Sequence, residues 1–306
     1  MIRTLRRFIG AIATGSLAVG LIAAPAVAAP AVEEALFGKL RARIAEVEDR
    51  LDGVLGVAVK DLTTGRVIEI RGEVVFPQAS SIKLALIYEL YQQAGASKVD
   101  LNALRSLPKV RAGGSGVLPL LSDKAQMTVR DLAVLMMSLS DNAATNILID
   151  EVTMTAVNSR MDALGLSKTR LRRRMIDLAA ARRGEENVST PLEMIGLIEA
   201  IRKGAGLSEA LAADLRAVVG VSKSTGFRDP LPAGLIILDK PGSLEGVRTA
   251  TGLVDLKYRP YAAAIMTTAL RNDSEGEDAI REISKLVYET FDRLDRASPE
   301  GRLLGR

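Results

Sequence analysis

Apolar residues recur at helical spacing from Val32 onward, at Leu36, Phe37, Leu40, Ile44, Val47 and Leu51, which predicts an amphipathic helix ended by Gly53. Segments 55–62 and 66–71 instead alternate or cluster β-formers around Thr63-Thr64-Gly65, the pattern of a hairpin. Helical spacing then dominates segments 82–93, 129–139, 143–152, 157–164 and 191–203, which Gly-rich and polar loops separate. Strand signals return over 234–239, 247–256 and 260–270. A closing helix over 278–294 sets Ile280, Ile283, Val287 and Phe291 on one stripe.

This order predicts an α+β fold with three α/β/α layers, in which N- and C-terminal helices flank one antiparallel sheet and an all-helical subdomain is inserted. The α/β part is expected over residues 29–75 and 230–306 and the helical insert over 76–229. No internal repeat or low-complexity linker interrupts the pattern.

The chain's start has a different pattern. Arg3, Arg6 and Arg7 precede an apolar stretch from Phe8 to Ala24, and Ala26-Val27-Ala28 follows Pro25, which together read as a cleavable export signal over residues 1–28. A retained membrane anchor is the alternative reading, and Arg6-Arg7 also fits twin-arginine export. The mature part, residues 29–306, is expected to be a monomer in the periplasm or the medium, with no stable membrane anchor.

Two absences remove whole chemistries. With 306 residues and not one His or Cys, the chain has no imidazole base, no thiol nucleophile, no disulfide and no His-ligated or Cys-ligated zinc. Proton transfer must use Lys, Asp, Glu, Tyr, Ser or water. The sequence pI near 9.3 invites a nucleic-acid partner. However, the leader holds three of the 41 basic residues and none of the 37 acidic ones, so the remainder carries 38 basic against 37 acidic groups. Aromatics make up 3% of residues and Trp is absent, which leaves few surfaces on which bases stack. Arg172, Arg173 and Arg174 form a local cluster for which a solvated loop is the simpler home, and no nucleic-acid partner is expected.

Ser80-Ser81-Ile82-Lys83 has the form S-x-x-K, which puts Lys83 one turn beyond Ser80 on the same helix face. A serine hydroxyl needs a base, and a lysine can serve where burial and positive neighbours keep part of it neutral. The motif arises by chance about once in a chain this long. Ser106-Leu107-Pro108-Lys109 is such a decoy, in which Pro108 opposes the helix that would join the pair. Two further motifs give the first copy weight: Ser140-Asp141-Asn142 begins 60 residues after Ser80, and Lys240-Pro241-Gly242 lies 100 residues after Ser140.

In these three motifs, in Leu55-Gly56-Val57-Ala58-Val59, in Phe76-Pro77 and in Ser140-Asp141-Asn142-Ala143-Ala144-Thr145-Asn146, the chain resembles the class A β-lactamases and related penicillin-recognising serine hydrolases. The likeness spans nearly all of the mature chain. It implies that Ser80 is the nucleophile, Lys83 its base and Ser140 a proton relay to the leaving nitrogen. It also implies that Asn142 binds substrate and Lys83, and that Lys240 supports Ser140 and a substrate carboxylate. Asp141 is expected to bond nearby backbone, and the whole Ser140-Asp141-Asn142 run doubles as a helix N-cap. Gly242 and Ser243 are expected at the substrate, with the Ser243 N–H as second oxyanion donor. Arg248 is either a fork for a substrate carboxylate or an exposed strand charge.

At two points the chain departs from that family. Pro241 offers neither the hydroxyl nor the N–H expected at the middle of the third motif. In Arg173-Arg174-Met175-Ile176-Asp177-Leu178-Ala179, matching the family's leucine to Leu178 puts Met175 where a water-activating glutamate is expected and Ala179 where an asparagine is. Asp177 is the candidate substitute base, ahead of Glu185 and Glu186, although carboxylates among arginines are commonly salt-bridged. The expected activity is therefore a serine β-lactamase that needs no metal or organic cofactor and acts on a β-lactam or a cell-wall-derived substrate. The alternatives are a penicillin-binding DD-peptidase or esterase-like hydrolase that β-lactams acylate and that releases them slowly, and a non-catalytic module on the same fold.

Overall fold

The computed structural model describes residues 31–298 and 301–304, so the export signal read over 1–28 lies outside the described residues. Helix α1 (Ala31–Arg50) leads into the hairpin of β1 (Val54–Asp61) and β2 (Val67–Ile70). Asp61 fixes the hairpin turn, its Oδ1 accepting from the N–H groups of Thr63 and Thr64 at 2.8 and 3.3 Å, while Gly65 takes a left-handed φ of 78°. The two-residue strand β3 (Phe76–Pro77) and a 3-10 turn (Ala79–Ile82) then feed α2 (Lys83–Gly95). Next come β4 (Leu104–Ser106), β5 (Gln126–Thr128), α3 (Val129–Ser138), α4 (Asn142–Val152), α5 (Met154–Ala163) and the short α6 (Leu178–Arg182). Strand β6 (Val188–Ser189), α7 (Pro191–Lys203) and α8 (Glu209–Val219) precede β7 (Ile237–Leu244), β8 (Val247–Val254), β9 (Tyr261–Thr268) and α9 (Asp273–Arg296).

Five strands make one antiparallel sheet in the order β2-β1-β9-β8-β7, so both ends of the chain build it. Strand alternation divides the core into two layers. On one face Leu55, Val57 and Val59 of β1 and Tyr261, Ala263 and Ile265 of β9 pack against Phe37, Leu40 and Ile44 of α1 and Ile283, Val287 and Phe291 of α9. On the other, Ala58, Ala262, Ala264 and Met266 meet the helical layer, in which α2 and α7 are buried. The expected three-layer α+β arrangement is the one observed. The inserted part is mainly helical, and it also carries two short ladders, β3 with β6 and β4 with β5.

Besides those ladders and the short α6, two longer elements differ from the sequence expectation. Helix α8 has its core positions at Ala212, Leu215, Val218 and Val219 in an Ala-rich stretch of low contrast, and Ser208 caps it by accepting from Leu211 N–H. Strand β7 starts later than expected and continues through Lys240, Pro241 and Gly242. Proline is tolerated there because β7 is an edge strand, where a residue without an N–H sacrifices no ladder bond if its nitrogen faces away from the sheet. The decoy Ser106 ends β4, outside any helix.

Phe291 links the outer layer, its ring 5.8 Å from that of Phe37 in an edge-on arrangement and 4.6 Å from that of Tyr261. Phe291→Ala is expected to lower the unfolding free energy by about 3–5 kcal/mol, measured by chemical denaturation.

Candidate active site

The three motifs meet at a cleft of about 390 Å³ between the edge strand β7 and the helical layer. Ser80, Ser140, Asn142, Lys240, Gly242 and Ser243 all line it.

Ser80 sits in the 3-10 turn just before α2, and the preceding residue Ala79 adopts a left-handed φ of 47°. Non-glycine residues rarely take that conformation, and here it follows the abrupt passage from β3 into the turn. Ser80 is half-buried, with its N–H among the first of the turn, where no intrahelical acceptor exists. Gly242 of β7 packs directly against it: a Cβ there would lie 2.5 Å from Gln78 O, 2.6 Å from Thr249 Oγ1 and 2.9 Å from Ser80 N. Only glycine permits this approach. Ser243 follows Gly242 on β7 and lines the cleft together with Ser80. The turn is stitched to the sheet from below. Ser81 Oγ lies 3.0 Å from Lys240 O and 2.8 Å from Thr249 Oγ1, whose hydroxyl donates to Gln78 O at 3.1 Å. Sequence reasoning missed Ser81 and Thr249, because an isolated hydroxyl in a helix start or a strand carries no pattern of its own.

The second motif is held just as tightly. Ser140 has a left-handed φ of 54°, and Asp141 caps α4 by accepting from Ala144 N–H at 2.9 Å. The other oxygen of Asp141 accepts from Val117 and Leu118 N–H at 2.7 and 2.9 Å, which binds a facing loop to the motif. Gly116 makes room for it, with a φ of 98° and space for a Cβ only 2.1 Å from Asp141 Oδ2. Ser115 Oγ donates to Ser140 O at 2.7 Å, and Asn142 Nδ2 donates to Gly113 O at 2.9 Å. The structural role expected of Asp141 is thus explicit.

Both lysines are buried and converge on one hydroxyl. Lys83 Nζ donates to Ser140 O at 2.8 Å, Ser140 Oγ at 3.0 Å and Asn142 Oδ1 at 3.0 Å. All three of these oxygens belong to the second motif. Lys240 Nζ donates to Ser140 Oγ and to Pro241 O, each at 3.1 Å. Burial, and next the positive charge of Lys240, hold Lys83 well below the usual lysine range against the opposing pull of Asp141. Lys240 is pushed down to about 7 by burial and by Lys223, against Asp239. With two N–H groups directed at its oxygen, Ser140 keeps its own proton free to donate into the cleft.

Two expected site residues stand elsewhere. The guanidinium of Arg248 pairs with Asp273 at 3.0 Å and Glu277 at 3.1 Å and donates to Leu244 O and Val247 O. It braces the start of α9 and does not line the cleft, which corrects the carboxylate-fork reading. Asp177 caps α6, accepting from Ala180 N–H at 2.9 Å, and likewise does not line the cleft. Glu185 pairs with Arg183, and Glu186 with Arg173. No carboxylate is among the cleft-lining residues. The loop presents Met175 instead, fixed at two points by Asn146, whose Nδ2 donates to Met175 O at 3.1 Å while its Oδ1 accepts from Met175 N–H at 2.9 Å. Asn187, also missed from sequence, shapes this loop by accepting from Arg172 and Arg173 N–H and donating to Arg173 O. Among the described residues no cluster of three or more acidic side chains is arranged to hold a metal ion.

A serine on a turn packed against a sheet edge, beside a second serine on which two buried lysines converge, under a three-layer α/β/α fold, is the arrangement of the penicillin-recognising serine hydrolases. The model of the Beta-lactamase enzyme family matches residues 39–291, and the chain belongs to that family. It is 26% identical over 269 residues to β-lactamase CARB-3 of Pseudomonas aeruginosa, an alignment covering 85% of this chain and 93% of that protein. The structure of a β-lactamase from Sphaerobacter thermophilus superposes with a TM-score of 0.76 at 29% identity, covering 83% of this chain and 97% of that one. A mutant of PBP-A, solved as an acyl-enzyme complex with penicillin G, superposes equally well, with a TM-score of 0.76 at 26% identity and coverage of 83% and 96%.

Gly242→Ala is expected to reduce acylation by on the order of 10²-fold by displacing the Ser80 and Ser243 N–H groups, with a smaller stability loss of about 1–3 kcal/mol. Stopped-flow acylation beside a thermal melt separates the two effects.

Proposed function

We propose that the protein is a serine β-lactamase that works through an acyl-enzyme at Ser80. The observation that carries this reading is the convergence of Lys83 and Lys240 on Ser140 Oγ beside Ser80. Neutral Lys83 takes the proton of Ser80 Oγ as that oxygen bonds to the lactam carbonyl carbon. The N–H groups of Ser80 and Ser243 receive the negative charge that develops on the carbonyl oxygen. The C–N bond then breaks, and the nitrogen takes the Ser140 Oγ proton, which Lys83 replaces across 3.0 Å. Lys83 is thereby neutral again. Lys240 and Asn142 hold the substrate, with Lys240 facing its carboxylate.

Release of the acyl group needs a base for water. With Met175 in place of a carboxylate and Asp177 committed to a helix cap, regenerated Lys83 takes this role, acting directly or through Ser140. This favours a second reading of the same site, in which acylation is fast and hydrolysis slow, as for a DD-peptidase or esterase that β-lactams occupy. The leader with Arg3, Arg6, Arg7 and Ala26-Val27-Ala28 supports export, with a monomer acting in the periplasm or medium on a lactam or cell-wall-derived substrate. No described helix is long and apolar enough to cross a membrane.

Mass spectrometry of the mature protein with benzylpenicillin and a chromogenic cephalosporin tests the reading. A covalent adduct on Ser80 with product release is expected, and an adduct that persists for hours favours the second reading. Ser80→Ala should abolish both signals; full turnover in that variant would refute the assignment. Met175→Glu is expected to raise the deacylation rate by at least about tenfold with acylation little changed, by returning a base to a position that Asn146 already fixes.

A further inference from the structure

Behind Lys240 lies a second buried lysine that the acylation chemistry leaves unused. Lys223, on the segment between α8 and β7, has a side chain only 8% exposed. It donates to Val219 O at 3.1 Å and Val221 O at 3.2 Å, and its Nζ lies 3.3 Å from Asp239 Oδ1. Asp239 precedes Lys240 on β7 and is fully buried, so strand alternation directs the two side chains to opposite sides of the strand. The same Asp239 accepts from Arg228 at 2.7 Å and from Thr225 Oγ1 at 2.9 Å. One carboxylate is therefore shared by two cations on the far side of β7.

The charged groups around Lys240 include Arg173, which lines the same cleft. Lys83 faces Lys240 across Ser140 Oγ, with Asp141 behind Lys83, while Lys223 and Arg228 act from the segment before β7 and Asp239 from β7 itself. We propose that Lys223 is a positioning residue for substrate recognition: by sharing Asp239 with Arg228 behind β7 it limits the counter-charge available to Lys240, the residue that grips a substrate carboxylate. This rests on the reading that Ser80 is acylated by carboxylate-bearing substrates.

The sign follows from electrostatics. A positive charge at Lys223 opposes protonation of Lys240, whereas Asp239 favours it, and Lys240 comes to about 7. Lys240 therefore loses its charge at lower pH than an ordinary lysine. Removing the Lys223 charge leaves Asp239 with Arg228 as its one cationic partner there, and extends the cationic range of Lys240 upward.

The test is the pH dependence of the second-order acylation rate constant for benzylpenicillin and for its methyl ester, in the unaltered protein, Lys223→Met, Lys223→Gln and Lys223→Arg. For benzylpenicillin the alkaline limb is expected near pH 7 in the unaltered protein. It should rise by about a pH unit or more in the Met and Gln variants, a roughly tenfold gain in relative rate at about pH 8.5. Arg should restore the original limb, and the ester, without a carboxylate, should show no displacement. Titration of the Lys240 side chain by NMR should move in parallel and does not depend on acylation, so it decides the proposal even if Ser80 is not acylated. An unmoved limb and an unmoved titration in folded Lys223→Gln, with folding verified by thermal melting, would overturn it.

Discussion

Two buried lysines bound to one serine hydroxyl are the constraint around which this structure is organised. Lys83 and Lys240 donate to Ser140 Oγ at 3.0 and 3.1 Å. Two such bonds to one oxygen leave the nitrogens no more than about 6 Å apart, and if both were charged they would repel by on the order of 2–3 kcal/mol at an effective dielectric of about 20. Removal from water adds to that penalty for each ion. The fold answers with acceptors and counter-charges: Asp141 lies behind Lys83, Asp239 behind Lys240, and carbonyl or amide oxygens meet the N–H groups that remain. The residual strain appears as a lysine held far below its ordinary range, which is the property a general base requires.

Such an arrangement needs rigid borders, and these come from places where backbone approaches backbone. Gly242 lets the edge strand reach the turn that carries Ser80, and Gly116 lets a loop close over Asp141. Left-handed Ala79 and Ser140 mark the two bends that aim the motifs at each other. Each is an unfavourable local choice, tolerated because the surrounding packing fixes it.

The cleft is chemically one-sided. Its charged lining groups are Lys240 and Arg173, with buried Lys83 beneath, and no acidic residue among the lining groups opposes them. That composition suits an anionic substrate and stabilises charge that develops on an oxyanion. At the position where the family's glutamate is expected, the loop presents Met175 to the cleft.

The motifs, their spacing and the absence of His and Cys made the family and the fold class legible from sequence and singled out Ser80 and Lys83 as candidates, because period-2 and period-3.6 patterns and the three motifs are local properties of the chain. Met175 at the glutamate's expected position was legible for the same reason. The fates of Arg248 and Asp177 were not, since whether a charged side chain enters a cleft or braces a helix depends on how the chain folds around it, as Asp273 and Glu277 do around Arg248. Ser81, Thr249, Asn187 and Lys223 were equally silent. Their roles consist of hydrogen bonds and charges brought together from separate segments, 168 residues apart in the case of Ser81 and Thr249. The sequence thus determined the family, the fold class and the candidate groups for the chemistry, and the tertiary structure decided which of them meet and how strongly each is charged, because burial and proximity exist only once the chain has closed on itself.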